Sequence, residues 1–269
     1  MSASAAAAPP TTIEVVCTRL ARYWVAECSE GQRTPAPLAP RQASVLVPLV
    51  SAAAAMATNH IVGSNGVGGC EDVHVLLCTR SANLSSHAGE VCLPGGKNES
   101  GECDRAAALR EAREEVGLIP ADAAVLAELP PFLSKGHVSV RPVVARIPDH
   151  FAPVVNRDEV EECFYCSLEG FLSGGEGYSY RDWEFVEKRY IRVHFFQRGR
   201  HEVWGLTAAI LIQVAAIAYG RPPEFDLHPP VAGGTDIQSI RSDGITAELI
   251  SSPTPVVHSS DGAPPVSRM

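Results

Sequence analysis

GGKNESGECDRAAALREAREEVGL, residues 95–118, is the stretch on which the reading of this chain turns. Cys103 to Val116 reads as a helix that stops at Gly117. At 100° per residue, Glu111, Glu114 and Glu115 gather with Ala107 and Ala108 on one side of it, and Leu109, Ala112 and Val116 on the other. The second set is the expected core stripe. The first puts three carboxylates within one turn, where like charges at i, i+3 and i+4 repel. A cation would relieve that repulsion, and a hard divalent ion, Mg²⁺ or Mn²⁺, is the natural match to oxygen ligands. Such an ion could bridge the carboxylates to a phosphate and polarise both the phosphorus and an attacking water. On the helix alone, a solvated acidic face partnered by Arg110 and Arg113 is an equally good account.

The surrounding residues decide between the two. Gly96, Glu102, Arg110, Glu111, Ala112, Glu114, Glu115, Gly117 and Leu118 fit G-x5-E-x7-R-E-U-x-E-E-x-G-U, with U apolar, without a gap. Seven fixed positions would coincide by chance about once in 10⁹ windows at average residue usage. This is the Nudix box (residues 96–118), and the chain resembles a Nudix hydrolase. The resemblance implies an α/β fold, a mixed β-sheet sandwiched between α-helices, and cleavage of a diphosphate linked to another moiety. It implies Glu111, Glu114 and Glu115 as metal ligands and catalytic carboxylates, assisted by a carbonyl of Gly95 or Gly96. It implies a supporting Glu102–Arg110 salt bridge and a left-handed helix stop at Gly117.

A second pattern lies just upstream. LLCTRSANLSSHAGEVCLPGG, residues 76–96, resembles the signature of Nudix coenzyme A diphosphatases at Leu76, Leu77, Arg80, Ser81, Leu84, His87, Gly89, Val91, Pro94, Gly95 and Gly96. Thr79 stands one place late, and Leu93 replaces the usual Phe. Coenzyme A carries a diphosphate and a 3′-phosphate, so an Arg and a His near the site offer charge-assisted donors. Arg80 is the first candidate for a phosphate contact and His87 the second, with Gly95 and Lys97 beside them. NRDEVEECFYCSLEGFL at 156–172 and VWGLTAAIL at 203–211 extend the resemblance, which covers roughly residues 40–220. Glu159, in the first of these, is a candidate outer carboxylate, either a base or a neighbour of the metal ligands; a solvated strand-edge residue is the competing reading. The implied activity is metal-dependent hydrolysis of coenzyme A and acyl-coenzyme A to adenosine 3′,5′-bisphosphate and (acyl-)4′-phosphopantetheine. The alternatives are a Nudix hydrolase acting on another nucleoside diphosphate derivative, and a catalytically silent binder, against which all box carboxylates are present.

The rest of the chain bounds these expectations. Its 269 residues carry 22 Lys+Arg against 31 Asp+Glu, a net charge of −9, which disfavours a nucleic-acid partner. The longest apolar run, Leu206 to Tyr219, is too short for a membrane span and reads as a buried helix. Residues 1–12 (MSASAAAAPPTT) form an expected disordered tail without the character of a secretion signal. Residues 13–220 form the expected domain, with helices at Ile13–Cys28 and Thr207–Tyr219. Strands are expected at Ser44–Val50, Val73–Cys78, Val138–Ile147, Phe164–Ser167 and Tyr190–Phe196, a short extended piece at Glu90–Leu93, and a loop at Val62–Gly69. Cys163 and Cys166 form the single C-x-x-C and are expected to be two half-buried thiols where a strand enters a helix. Residues 221–269 read as an unstructured tail. It ends in Ser267-Arg268-Met269, whose small–basic–apolar shape resembles a peroxisomal import address, so an import receptor is an expected partner, with cytosol or mitochondrion as the alternative location.

Overall fold

In the computed structural model, which describes residues 12–29, 36–58, 72–134, 136–186 and 189–229, the apolar run SVLVPLV lies within strand β1 (Arg41–Ser51), the axis of an eight-stranded sheet. β1 pairs in parallel with β7 (Val138–Arg146) and antiparallel with β2 (Val73–Arg80) and β4 (Gly95–Lys97). β2 also carries β3 (Val91–Cys92) and β8 (Val160–Ser167), and β7 carries β5 (Ala124–Glu128) and β6 (Phe132–Leu133), all antiparallel. The sheet is therefore mixed.

Both faces of this sheet are covered, which is why its central strands read as apolar runs rather than as alternating patterns. Val73, Val75 and Leu77 enter a core with helices α1 (Ile13–Ser29) and α4 (Gly205–Tyr219). Leu76 and Cys78 enter a second core, on the opposite face, with the short helix α2 (Ala52–Ala57) and with α3 (Asp104–Val116). α4 buries Ala208, Ile210, Leu211, Ile212, Val214, Ala215 and Ala218, residues from around its circumference, as a helix without a polar face must. No helix among the described residues is long and apolar enough to cross a membrane.

A three-stranded antiparallel sheet, β9 (Tyr178–Val186), β10 (Arg189–Arg198) and β11 (His201–Trp204), packs against the α4 side. The chain does not leave the domain at Gly220. Phe225 stacks on Tyr178 at 4.2 Å between ring centroids, Arg192 donates to the Asp226 carbonyl at 3.3 Å, and His194 Nε2 lies 3.4 Å from the Leu227 carbonyl. Residues 221–229, the described part of the expected tail, are thus packed against the domain. The N-terminal residues 1–11, the 62–69 loop and Ser267-Arg268-Met269 lie outside the described residues.

Cys163 and Cys166 are more buried than expected, at 5% and 1% exposure, and both belong to β8. They face opposite sides of the sheet, one in each core, so they do not form a joint metal or redox pair. β8 ends in a short 3₁₀ turn, Glu169–Leu172, in place of the expected helix.

Candidate active site

The carboxylate helix begins one residue later than expected, with Cys103 as its N-cap, and ends at Gly117, whose φ of +74° is the left-handed stop a glycine supplies without strain. Its buried residues are Ala107, Ala108, Ala112, Glu115 and Val116, while Leu109 is half-buried. The expectation that the core stripe opposes the carboxylates is therefore corrected. The small alanines let α3 approach β1 closely, and the buried arc they define has Glu115 in its middle. A carboxylate at 3% exposure inside that arc needs its own partners.

One partner comes from the strand beneath. β4 crosses β1 with Gly95 opposite Val45 and Gly96 opposite Ser44. The Gly95 N–H donates to Glu115 Oε2 at 2.9 Å. Both glycines are demanded by contact. A Cβ on Gly95 would lie 2.4 Å from the Ser44 carbonyl oxygen and 2.6 Å from Val45 Cα, and one on Gly96 would lie 2.4 Å from Glu111 Oε1.

The remaining partners are negative. Ligand oxygens of Glu111, Glu115 and Glu159 all lie within 4.8 Å of one another. Glu159 reaches them from the loop before β8, whose backbone is tied to the helix by a bond from Asn156 N–H to the Glu115 carbonyl at 2.9 Å. Burial pushes the Glu115 carboxyl up to about 7; the Glu111 and Glu159 charges add to this, against the Gly95 N–H and the Arg80 charge. Burial likewise raises Glu111, with Glu114 and Glu159 adding to it and Arg110 opposing. Glu111 and Glu115, whose ionised forms are disfavoured by burial and by the neighbouring carboxylates, form with Glu159 an oxygen donor set suited to a hard divalent cation.

Arg110 braces this arrangement from outside. Its Nε and Nη2 each donate to the Glu102 carboxylate at 3.0 Å, its Nη1 to Glu111 at 3.0 Å and Glu114 at 3.1 Å, and its Nη2 to the Lys97 carbonyl at 3.1 Å. The bidentate bond holds the Glu102 carboxyl below the usual range. Glu114, with a side chain 52% exposed, stands outside the three-carboxylate group and faces Arg110. The N-terminus of α3 is fixed separately. Asp104 accepts from Arg141 Nε at 2.6 Å, from Ser44 Oγ at 3.0 Å and from Asn98 Nδ2 at 2.8 Å.

Of the upstream candidates, Arg80 ends β2, and its charge is felt at the Cys92 thiol and at Glu115. The buried Arg80 Nε has no hydrogen-bond partner among the described residues. His87 sits in the β2–β3 loop at a φ of +54°, 70% exposed, with Nδ1 2.9 Å from Glu90 Oε2. Lys97 is exposed at the end of β4. The structure therefore brings together Glu111, Glu115, Glu159, Gly95 and Gly96 with Arg80 close by; Glu114, His87 and Lys97 lie at or beyond the rim. Sequence reading gave Asp104, Arg141, Ser44 and Asn98 no role. Their one signal is an Arg in the apolar strand VSVRPVVARI, a residue type rarely buried unless paired.

Comparison with known proteins follows the same lines. The NUDIX domain family profile matches residues 65–190. Nudix hydrolase 15 of Arabidopsis thaliana, described as mitochondrial, is 42% identical over 161 residues, 57% of this chain and 56% of that protein. A peroxisomal coenzyme A diphosphatase of Caenorhabditis elegans is 39% identical over 165 residues, 59% of this chain and 68% of that protein. A peroxisomal coenzyme A diphosphatase of Mus musculus is 34% identical over 167 residues, 58% of this chain and 70% of that protein. The chain spans little more than half the length of the Arabidopsis relatives it matches, 56% of one and 53% of another.

Proposed function

The chain belongs to the Nudix hydrolase family, and from that premise we propose that it hydrolyses the diphosphate bond of coenzyme A and its acyl derivatives with the help of Mg²⁺ or Mn²⁺. The observation that carries the reading is the convergence of Glu111, Glu115 and Glu159 within 4.8 Å, on the side of the sheet where α3 packs and where the Arg80 charge is felt. The signature from Leu76 to Gly96 and the two relatives described as coenzyme A diphosphatases support this substrate over other diphosphates.

Glu111, Glu115 and Glu159 would hold the ion. The bound ion supplies positive charge against the charge developing on phosphate oxygens and makes water a better nucleophile. The protein's own part is positional. Gly95 N–H orients Glu115, Arg110 fixes Glu111 and Glu114, and Arg80 donates to a phosphate oxygen of the substrate. His87 and Lys97 supply further positive groups at the rim, and a carboxylate of the cluster takes the proton that the attacking water loses. Water adds across the P–O–P bridge, leaving adenosine 3′,5′-bisphosphate and 4′-phosphopantetheine or its acyl form. The import receptor for Ser267-Arg268-Met269 and a peroxisomal location belong to the same proposal, supported by the relatives described as peroxisomal. Loss of punctate localisation on deleting those three residues is the expected result; unchanged puncta would remove the signal.

Chromatographic identification of products from coenzyme A, ADP-ribose and a dinucleoside polyphosphate, each with Mg²⁺, tests the substrate. Coenzyme A is expected to give the bisphosphate at the highest kcat/KM. Faster cleavage of either competitor would transfer the assignment to another nucleoside diphosphate derivative.

The two glycines give a contrast that checks the placement of Glu111. An Ala at 95 collides with backbone that cannot yield, so Gly95→Ala is expected to unfold the β1–β4 pairing. An Ala at 96 collides with the movable end of Glu111. Gly96→Ala is therefore expected to keep the thermal midpoint nearly unchanged while lowering kcat about 10²-fold, the cost of misplacing a reacting group by about an ångström. Equal stability losses in both variants would contradict the geometry.

A further inference from the structure

The turn before β8 ties the end of the carboxylate helix to the residue after Arg80, and Asn156 stands at its start. Asn156 N–H donates to the Glu115 carbonyl at 2.9 Å, one of the carbonyls that the last turn of a helix leaves without an internal partner. Asn156 Oδ1 accepts the Asp158 N–H at 3.2 Å, closing an Asx turn. The Asn156 carbonyl accepts from Glu159 N–H at 3.1 Å and Val160 N–H at 2.8 Å. On the far side, Ser81 N–H donates to the Glu159 carbonyl at 2.9 Å. Within four residues the chain thus passes from the end of the carboxylate helix to the end of β2, beside Arg80, and Glu159 is carried between them.

We propose that Asn156 is a positioning residue whose side chain shapes the turn that sets Glu159 against Glu111 and Glu115. Most other bonds that hold this turn join backbone groups, which substitution leaves in place, and the exposed Arg157 guanidinium donates to the Glu161 carbonyl beyond Glu159. The bond to Oδ1 is the one the Asn156 side chain makes, inside the turn and immediately before Glu159, so it is where the identity of residue 156 enters. Without it, the Asp158 N–H turns to water and residues 157–158 gain freedom, and the carboxylate one residue on loses its fixed distance to the other two. The proposal rests on the metal-dependent reading above.

The test uses the full chain and two readouts: Mn²⁺ affinity from loss of the free-ion paramagnetic signal, and steady-state hydrolysis of coenzyme A. Asn156→Ala is expected to weaken Mn²⁺ binding and lower kcat, each by about 10- to 100-fold, the range found when partners of metal ligands are removed. KM is expected to stay within about twofold, because substrate contacts are intact. Asn156→Asp keeps an oxygen at the Asx position and is expected to restore both quantities. Asn156→Gln sets its oxygen one carbon too far and is expected to behave as Asn156→Ala. Wild-type values in Asn156→Ala, a rise in KM at constant kcat, or failure of Asn156→Asp to recover would overturn the inference alone. A wild-type protein that takes up no Mn²⁺ and leaves coenzyme A intact would overturn the functional reading, and this inference with it.

Discussion

Glu115→Gln is expected to lower hydrolysis of coenzyme A about a thousandfold or more, since the charge stabilisation that a held metal ion supplies is worth several kcal/mol. The same change is expected to make the metal-free protein more stable at pH 8. Glu115 lies at 3% exposure beside Glu111 and Glu159, and burial takes its carboxyl from 4.5 to about 7. Between those values the folded protein keeps a proton that the unfolded chain has lost, so the group's contribution to stability falls as pH rises through that window. Above it, the ionised carboxylate costs the fold on the order of a few kcal/mol, since each tenfold change in proton affinity is worth about 1.4 kcal/mol. Gln removes the charge and keeps an oxygen for the Gly95 N–H. Urea unfolding with chelator present should therefore show wild type and variant alike at pH 4 and the variant ahead at pH 8. A variant less stable than wild type at pH 8 would show that Glu115 is not held there at electrostatic cost.

Arg141→Met is expected to cost stability on a larger scale, about 3–5 kcal/mol, the usual result of removing one member of a buried ion pair. Arg141 is 4% exposed, and its Nε lies 2.6 Å from Asp104 Oδ2 while its Nη1 donates to the Leu129 carbonyl at 3.1 Å. Met fills much of the volume and satisfies neither oxygen. Because Asp104 is the first residue of α3, the loss falls on the tether between the carboxylate helix and β7. The measurement is the shift in denaturant midpoint at constant m-value. A shift equivalent to less than about 1 kcal/mol, the scale of exposed pairs, would mean that the pair is no more than a surface contact.

These two residues also mark how far sequence carries. The box fixes the helix, its glycine stop and the crowding of carboxylates, because these are local consequences of 3.6-residue periodicity and like charge. It does not fix which face is buried. A helical wheel separates Ala107 and Ala108 from Leu109, Ala112 and Val116, yet the alanines are the residues that let α3 settle on β1. Nor does a wheel show that Glu114 turns outward to Arg110 while Glu159, 44 positions after Glu115, comes in. That meeting depends on a loop whose geometry is set by Asn156 and Ser81. β9 went unread for a different reason. YSYRDWEFV looks too charged for a strand, but Asp182 pairs with Arg192 at 2.7 Å and the Arg192 guanidinium lies 3.8 Å from the Tyr180 ring centre, so the Asp182 charge is satisfied across the hairpin. Residues 221–229 have a tail's composition, and they are held by Phe225 on Tyr178 of β9 and by the Asp226 and Leu227 carbonyls on Arg192 and His194 of β10.

The central claim is that Glu111, Glu115 and Glu159 jointly hold a divalent cation. Titrating Mn²⁺ into metal-free protein while following the free-ion paramagnetic signal addresses it without requiring turnover. Wild type is expected to deplete the signal, with Glu115→Gln and Glu159→Gln each leaving most of it. Wild-type protein that leaves the signal at its buffer level, or a Glu159→Gln variant that depletes it as fully as wild type, would contradict the three-carboxylate site.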